Sequence, residues 1–396
     1  MTGIRYFLFV LLIGGVSSLN PLAIDAFIPA MPEIAKDLAV DPGTVGITLG
    51  LYTLGTAVGQ VIFGPLADRF GRRPVLMIGL VIYVAASIAS AFATTITVLA
   101  LLRTLHGVAA ASGRVIATAI VRDLFEREQA GKFMGYMFAV VGAMPIVGPL
   151  IGSELLILFG WESIFLYMAV VSGALFLAVW LGLRETLPAP DYDAIRPVKM
   201  AVNFGEILSD RTFLAYMLCH SLAASALYSF LATSADVIIN TYGESTRYFA
   251  IGFAAIMTSG MLGSLAGGRM VTRLGIDRLI LAGTVVTCSA GLALLAAALL
   301  DSATPIVIIV LYGLYKFADS AVNPQSAAGA MTPFRDMAGA ASSLLGFIRQ
   351  GVGALTAVII GTLADGTSVP LAAGIAFAGT SALLIRVTLI RQLTKR

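Results

Sequence analysis

Twelve mostly apolar segments recur along the chain, and they constrain its fold more than any other feature. They lie at 4–32, 44–65, 74–93, 97–120, 131–155, 162–183, 212–235, 247–267, 279–300, 304–326, 337–362 and 370–390. A run of about 20 apolar residues can cross the hydrocarbon core of a bilayer as a helix. Because lipid offers the backbone no hydrogen bonds, such segments must be helical. The sequence therefore predicts an all-α membrane protein with 12 transmembrane helices.

The composition agrees with lipid as the main solvent. Hydrophobic residues make up 58% of the 396 residues and charged residues 12%, against roughly 45–50% and about 25% in soluble domains. The net charge is only +3 and no basic block is present. We therefore expect a lipid bilayer, and no nucleic acid, among the partners of the chain.

No pattern typical of an enzyme or a metal site is present. Cys219 and Cys288 lie far apart, and His106 and His220 are the only histidines. There is no nucleophile–base pair and no phosphate-binding GxxxxGK[ST] motif. We expect no catalytic residues and no metal, and we do not interpret the chain as an enzyme.

The segments divide into six, a linker and six. Residues 1–183 form a predicted N-terminal six-helix bundle and residues 212–396 a C-terminal one. Residues 184–211 are polar and contain three prolines, so we interpret them as a cytoplasmic linker. The apolar run after Arg5 lacks a small-residue cleavage pattern, which favours a retained first membrane helix over a signal peptide.

The basic residues predict the orientation. With the N-terminus in the cytoplasm, 19 of the 25 Lys and Arg residues fall on the cytoplasmic side, and only Lys36 and Arg247 fall on the opposite side. Cytoplasmic loops of membrane proteins are enriched in Lys and Arg, so both termini are predicted to be cytoplasmic. Four basic residues lie inside apolar segments: Arg103, Arg114, Lys316 and Arg349.

One loop sequence occurs twice. GPLADRFGRRPVL begins at Gly64, and GRMVTRLGIDRLI begins at Gly268, 204 residues later. The alignment matches Gly71 with Gly275, and Thr272 replaces an aspartate in the second copy. The same loop after the second helix of each half indicates a duplicated six-helix unit.

These motifs carry a family resemblance. GPLADRFGRRPVL resembles the signature loop of the major facilitator superfamily. LLRTLHGVAAA at 101–111 and GAMPIVGPLIG at 142–152 are similar to elements of its twelve-helix drug/proton antiporters. AIDAFIPAMPEI at 23–34 resembles the Asp-x-x-x-Pro-x-x-Pro segment of the bicyclomycin/chloramphenicol resistance (Bcr/CflA) group. The resemblance covers essentially the whole chain.

The resemblance implies a fold and a setting. The fold would be two pseudo-symmetric six-helix bundles in the bacterial cytoplasmic (inner) membrane. The protein would act as a monomer and use a proton gradient as its energy source, without a cofactor.

The resemblance also assigns a role to the repeated loop. Asp68 and Arg72 would meet Asp123 in a cytoplasmic latch that favours an outward-facing state. Gly64 and Gly71 would allow tight turns. The alternative is a basic loop that only sets the topology. The loop residues involved are Gly64, Asp68, Arg69, Gly71, Arg72 and Arg73.

The fifth segment carries the glycine–proline element, which comprises Gly142, Pro145, Gly148, Pro149 and Gly152. The two prolines are four residues apart, so they share a face and favour a bend. Gly148 and Gly152 let another helix approach closely. The resemblance implies antiport, and the alternative is a packing motif without coupling specificity.

Asp25 and Arg103 are charges inside membrane segments, where a charge costs about 2.5–3.5 kcal/mol at a helix centre. Asp25 follows an Asn-Pro pair that should perturb the helix. We predict that Asp25 exchanges a proton or pairs with a cationic substrate, and the alternative is an interfacial acid near a helix end. Arg103 is a fixed positive charge that could bind a polar group or act on a nearby carboxyl group.

His106 and Arg114 follow Arg103 at helical spacing and share its face. We expect this stripe to face water. His106 stands where the family usually has Gln, and it is a second candidate proton carrier. The alternative for His106 is a hydrogen-bonding residue.

Lys316 and Asp319 lie three residues apart in the tenth segment, where the family pattern is mostly uncharged. They can pair within one helix, which makes their insertion tolerable. The functional alternative is a charged wall that faces Asp25 and Arg103 and couples to substrate or protons.

Together these observations predict an exporter that exchanges small drugs or metabolites for protons by alternating access. Its partners would be a small-molecule substrate and protons. Two alternatives stay open. One is an uptake symporter or uniporter for a small polar solute. The other is a membrane receptor or scaffold that binds without transporting.

Overall fold

The computed structural model describes residues 3–192, 197–334 and 337–390. Throughout these ranges the regular structure is helical, without strands. Among the described residues, twelve helices are long and apolar enough to cross a membrane. The predicted all-α architecture with 12 transmembrane helices is confirmed. Five basic residues used in the orientation prediction lie outside the described residues: Arg196, Arg335, Arg391, Lys395 and Arg396.

The helices are numbered in chain order. Those in the first half are α1 (Ile4–Asp25), α2 (Met31–Asp37), α3 (Pro42–Phe70), α4 (Arg72–Ala91), α5 (Ile96–Leu124), α6 (Arg127–Phe159) and α7 (Glu162–Gly182). Those in the second half are α8 (Pro197–Ser209), α9 (Arg211–Asp236), α10 (Thr246–Leu274), α11 (Ile276–Leu299), α12 (Pro305–Met331), α13 (Ala338–Thr362) and α14 (Val369–Ile385). Short π-helical turns extend α9 and α14.

The chain forms two compact units. The first unit comprises Met1–Ala39 and Leu51–Arg196, and the second comprises Val40–Gly50 and Pro197–Arg396. The boundaries predicted from the sequence, at 183 and 212, stay a prediction.

The linker contains a helix that the sequence analysis did not predict. Helix α8 lies within 184–211, the polar stretch that was interpreted as a linker. Ile207 of α8 is buried in a cluster that includes Phe213 and Leu344. One apolar face on a polar segment is enough to dock a short helix when neighbouring helices cover that face.

The first membrane segment is broken. The sequence predicted one helix over 4–32, but α1 ends at Asp25 and a 3₁₀ turn (Ile28–Ala30) leads into α2. The amide of Phe27 bonds the Ile24 carbonyl at 3.2 Å, three residues back. Pro29 and Pro32 follow and supply no amide hydrogen. The break therefore leaves a carbonyl of α1 available to other partners, that of Ala23.

The repeated loop is shorter than expected. Helix α3 continues to Phe70, so Gly64 is helical and the turn predicted there is wrong. Gly71 alone joins α3 to α4, with φ 100°. Gly275 joins α10 to α11 in the same way, with φ 77°. Positive φ strains residues with a Cβ atom, which explains the glycine at both positions.

Helix crossings repeat between the units with a constant register. Gly59 of α3 lies against the Val108 carbonyl of α5, with no room for a Cβ atom. In the second unit Gly263 of α10 lies in the same way against the Phe317 carbonyl of α12. Position 263 follows 59 by 204 residues, and position 317 follows 108 by 209.

The neighbouring crossing has the same register. A Cβ atom on Gly79 of α4 would lie 3.7 Å from the Ala109 carbonyl oxygen, and one on Gly283 of α11 would lie 3.4 Å from that of Ala318. Two independent crossings thus relate α5 to α12 by 209 residues.

Candidate functional site

Asp25 is buried at the break in the first membrane helix. It is the last residue of α1 and is 5% exposed. Within the described residues its Oδ2 atom has no hydrogen-bond partner. An ionised carboxylate without a partner is expensive to bury. The carboxyl group is therefore suited to carry a proton while enclosed and to release it on contact with water.

Two glycines of the glycine–proline element form the surface against which this break rests. A Cβ atom on Gly148 would lie 3.0 Å from the Cβ atom of Asp25. Gly152 lies against the Ala26 carbonyl with no room for a side chain. A Cβ atom on Gly142 would have no atom within 4 Å. The element thus divides into two contact glycines and one open position.

The two prolines of the element do not interrupt their helix. Pro145 and Pro149 both lie inside α6, which runs continuously over Arg127–Phe159. Pro149 is buried and Pro145 is partly buried. Whether they couple transport to protons stays a prediction.

Arg103 is fully buried, and within the described residues no carboxylate pairs with it. Its guanidinium lies 4.4 Å from the ring centroid of Phe27 and 4.2 Å from that of Tyr52. Its Nη2 atom donates to the Ala23 carbonyl at 3.1 Å. The C-terminal end of a helix carries negative partial charge, and aromatic faces attract cations. The end of α1 and the two rings therefore compensate this charge.

His106 is fully buried in a hydrogen-bonded chain. Its Nδ1 atom lies 3.4 Å from Nη1 of Arg103, and its Nε2 atom lies 3.1 Å from Oγ of Ser87. Ser87 Oγ donates to the Tyr83 carbonyl at 2.8 Å. Arginine can only donate, so Nδ1 accepts and the hydrogen is on Nε2. This arrangement has no place for a second proton, and it favours the hydrogen-bonding interpretation of His106.

The expected water-facing stripe is wrong for two of its three members. Arg103 and His106 have no exposed surface, and the rings of Tyr52 and Tyr83 enclose them. Arg114, about three turns after Arg103 on α5, is exposed. Periodicity placed the residues on one face correctly, but it could not show that the end of α1 covers that face.

The sequence did not predict the hydrogen bonds that join α1 to α3 and α4. The Tyr52 hydroxyl donates to Asn20 Oδ1 at 3.0 Å, as does the Thr56 hydroxyl at 3.3 Å. The Tyr83 hydroxyl donates to the Leu19 carbonyl at 3.0 Å. The available signal was Asn20 itself, an amide in an apolar helix directly before a proline.

The predicted latch residues meet at Arg72. Its guanidinium contacts the Asp68 carboxylate, and its Nε atom donates to Asp123 at 3.0 Å. Thr186 also donates to Asp123, at 3.3 Å. The guanidinium of Arg69 instead lies over the Phe70 ring. The contacts agree with a latch, whose role in the transport cycle stays a prediction.

Glu185, which lies shortly after the end of α7 at Gly182, joins this cluster and was not predicted. It accepts hydrogen bonds from the amides of Arg72 at 2.9 Å and Arg73 at 3.1 Å, at the start of α4. The amides of Thr186 and Leu187 donate to it at 2.9 Å each. Partial burial raises the pKa of Glu185, but the four donors outweigh it and hold this pKa below its usual range. Glu185 therefore caps α4.

The sequence offered only an indirect signal for Glu185. It is an acid beside the sixth membrane segment, 113 positions after its partner Arg72. A Cβ atom on Gly71 would lie 2.6 Å from Glu185 Oε2. Gly71 thus makes room for the cap as well as the turn.

In the second unit Lys316 and Asp319 form a salt bridge. The distance between Nζ and Oδ2 is 3.1 Å, and the side chains are 16% and 5% exposed. This is the pairing within one helix that the spacing predicted. Among the described residues no cluster of His, Cys, Asp or Glu side chains could hold a metal ion.

Comparison with known proteins identifies relatives over nearly the full length. Residues 13–358 match the model of the Major Facilitator Superfamily. A bicyclomycin resistance protein homolog of Haemophilus influenzae is 29% identical over 92% of each chain. Multidrug resistance protein D of Escherichia coli is 27% identical over 86% of this chain and 85% of its own. A chloramphenicol resistance protein of Pseudomonas aeruginosa is 29% identical over 67% and 62%.

Solved structures share the fold. A bacterial homolog of the human lysosomal transporter Spinster, inward-facing and occupied, aligns with a TM-score of 0.75 at 17% identity. That alignment covers 100% of this chain and 96% of the other. A D-xylose–proton symporter aligns with a TM-score of 0.75 at 12% identity over 97% of each chain. These similarities establish the fold alone.

Proposed function

The chain belongs to the major facilitator superfamily, and we propose that it exports small drugs or related metabolites in exchange for protons. It is a multi-pass membrane transporter rather than an enzyme. Its relatives include a bicyclomycin resistance protein homolog and a chloramphenicol resistance protein, as the Asp-x-x-x-Pro-x-x-Pro segment at 23–34 predicted. Because those relatives are resistance proteins, they support transport of small drugs out of the cell rather than into it.

The observation that carries the proposal is the buried carboxyl group of Asp25. It sits at a break in a membrane helix, and one oxygen lacks a partner in the described structure. Discontinuous membrane helices supply ion and substrate sites in many transporters. Protonation of Asp25 from outside, and proton release inside, would alternate with substrate binding.

The contact with α6 offers a way to couple the two events. Gly148 and Gly152 hold the break of α1 against α6. A change in the charge of Asp25 would alter this close contact, because a charged carboxylate requires water or a partner that the packed surface does not supply. The two six-helix units would then exchange access to the two sides of the membrane.

The remaining parts of the proposal follow from charge placement. The excess of Lys and Arg supports cytoplasmic termini in a bacterial inner membrane. The contacts of Arg72 support a cytoplasmic latch. The transporter would act as a monomer, driven by the proton gradient without a cofactor.

The test is proton release from purified protein on addition of chloramphenicol, for the wild type and Asp25→Asn. Release by the wild type that is lost in Asp25→Asn, with chloramphenicol binding retained, would support antiport with the carrier on α1. Binding without release would favour a symporter or uniporter. Binding without transport into vesicles would favour a receptor.

A further inference from the structure

A stripe of four residues on α12 forms a polar patch within the second unit. Tyr312, Tyr315, Lys316 and Asp319 follow one another at spacings of three, one and three residues, so they share one helix face. The Tyr315 hydroxyl donates to the Ala223 carbonyl of α9 at 3.0 Å. The stripe therefore faces a neighbouring helix of its own unit and not only lipid.

Two buried polar atoms of this stripe lack partners in the described structure. They are the hydroxyl of Tyr312, which is 1% exposed, and Oδ1 of Asp319, which is 5% exposed. Buried polar groups in native proteins are nearly always hydrogen-bonded. The ring of Tyr312 is held in place by stacking on Phe230, with centroids 4.3 Å apart. A fixed hydroxyl and a fixed carboxylate oxygen thus each lack a hydrogen-bond partner that a ligand could supply.

The register of the helix crossings shows how Lys316 is accommodated. Position 316 corresponds to Gly107, which lies against the Tyr52 carbonyl with no room for a side chain. In the second unit the glycine is on the partner helix instead. A Cβ atom on Gly260 would lie 3.0 Å from Cγ of Lys316. Because the glycine lies on α10 and not on α12, there is room for the methylene groups of the Lys316 side chain.

We propose that this stripe is a substrate subsite and that Lys316 determines its selectivity for charge. The Lys316 ammonium group pairs with the carboxylate of Asp319, which would otherwise bind organic cations. The subsite therefore takes neutral molecules whose hydroxyl or amide N–H donates to Oδ1 of Asp319. The Tyr312 hydroxyl would donate to a carbonyl or hydroxyl oxygen of the same molecule. This inference rests on the proposed transport of small organic molecules, but not on proton exchange.

The electrostatic argument is direct. The Lys316–Asp319 pair is neutral, so a neutral ligand leaves the charge of the subsite unchanged. A cationic ligand would have to displace the tethered ammonium and leave it unpaired, which is strongly unfavourable near a buried site. Removing the lysine charge leaves the carboxylate unmatched, and cations should then bind.

The test compares tetraphenylphosphonium, a permanent cation, with neutral chloramphenicol in direct binding measurements on the full chain. Lys316→Gln should bind tetraphenylphosphonium about tenfold tighter than the wild type or better, as expected for a close charge pair. Its affinity for chloramphenicol should change less than about threefold, since the neutral contacts remain. Lys316→Arg keeps the charge and should keep the wild-type preference.

Two further variants assign the effect to Asp319. Lys316→Gln/Asp319→Asn should lose the gain in cation binding. Asp319→Asn alone leaves an unpaired ammonium and should weaken tetraphenylphosphonium binding, which tests the proposal even if Lys316→Gln does not fold. An unchanged ratio of the two affinities in Lys316→Gln would overturn the proposal, as would a gain that persists in the double variant.

The binding assay separates this inference from the proposed antiport. A change in charge preference without substrate-dependent proton release would leave the subsite standing and remove the antiport. Proton-coupled transport with an unchanged charge preference would do the reverse.

Discussion

The two units treat buried charge in opposite ways at the same type of helix crossing. In the first unit no carboxylate of the described structure pairs with Arg103, and the end of α1 and two aromatic rings compensate its charge. Asp25 of the same unit is buried, and one of its oxygens has no partner among the residues that the structure describes. In the second unit Lys316 and Asp319 neutralise each other at 3.1 Å.

This difference shows that one duplicated scaffold can hold two kinds of site, one with an isolated carboxyl group and one with an ion pair. The crossings keep their register. In the first unit the glycine of one crossing, Gly107, lies on α5. In the second unit the glycine, Gly260, lies on α10 instead, so α12 has room for the long side chain of Lys316. An isolated carboxyl group changes its protonation when its exposure changes. A matched ion pair is already neutral, so it responds more to ligands than to protons. We infer that the first unit handles protons and the second unit selects substrates.

The largest effect should come from replacing each of the two carboxylates, Asp25 and Asp319, in a separate variant. Asp25→Asn should reduce proton-driven export about 100-fold or more, the scale of a lost proton-transfer group. Asp319→Asn should alter ligand affinity but still release protons at saturating chloramphenicol. The measurements are proton-driven export in vesicles and substrate-dependent proton release in detergent. Equal loss of release in both variants would break the proposed division between the units.

A second prediction concerns the contact between α6 and the break. Gly152→Ala places a methyl group against the Ala26 carbonyl and should destabilise the protein by about 1–3 kcal/mol, as overpacking does. Export should fall with it. Gly142→Ala is the matched control, because its Cβ atom meets nothing within 4 Å and should cause no loss. Thermal unfolding and vesicle transport of both variants decide the matter, and similar losses would refute a specific contact.

A smaller effect should come from the cap on α4. Glu185→Gln should lower stability by about 0.5–1 kcal/mol at neutral pH, the lower range for a helix cap because the side chain is largely exposed. Folding lowers the pKa of Glu185, so its contribution is complete above its unfolded pKa of about 4.3. It is lost as the pH falls through the lower folded value.

Thermal unfolding against pH tests this cap. The difference between the wild type and Glu185→Gln should be present at neutral pH and shrink below about pH 4. Glu206→Gln removes an exposed carboxylate of α8 and serves as the control. A pH-independent difference would show that the carboxylate charge does not matter.

The fold was largely predictable because its signals are local. Length and hydropathy predicted the 12 membrane helices, and the repeat matched Gly71 with Gly275, where both turns occur. Local spacing also predicted the pair of Lys316 and Asp319. The break after Asp25 was missed because hydropathy does not register the loss of a hydrogen bond.

The site was less predictable because its contacts join distant parts of the chain. Arg103 bonds a carbonyl 80 positions away, and Glu185 bonds an amide 113 positions away. A sequence shows which side chains share a helix face, but not which helix covers that face. Arg103 and His106 were therefore expected to face water, although the structure encloses both.

The smallest effect should come from replacing His106, and it tests whether Asp25 is the proton carrier of the first unit without a second one. Its ring accepts from Arg103 and lies at hydrogen-bond distance from Ser87, so it acts as a neutral bridge. A glutamine amide offers one acceptor and donors in similar positions. His106→Gln should therefore change proton release and export less than about threefold. His106→Leu removes both bonds and should destabilise the protein by about 1–3 kcal/mol, since it leaves buried partners unsatisfied. Loss of proton release in a stably folded His106→Gln would instead make His106 a second carrier, and the first unit would then exchange protons at two positions.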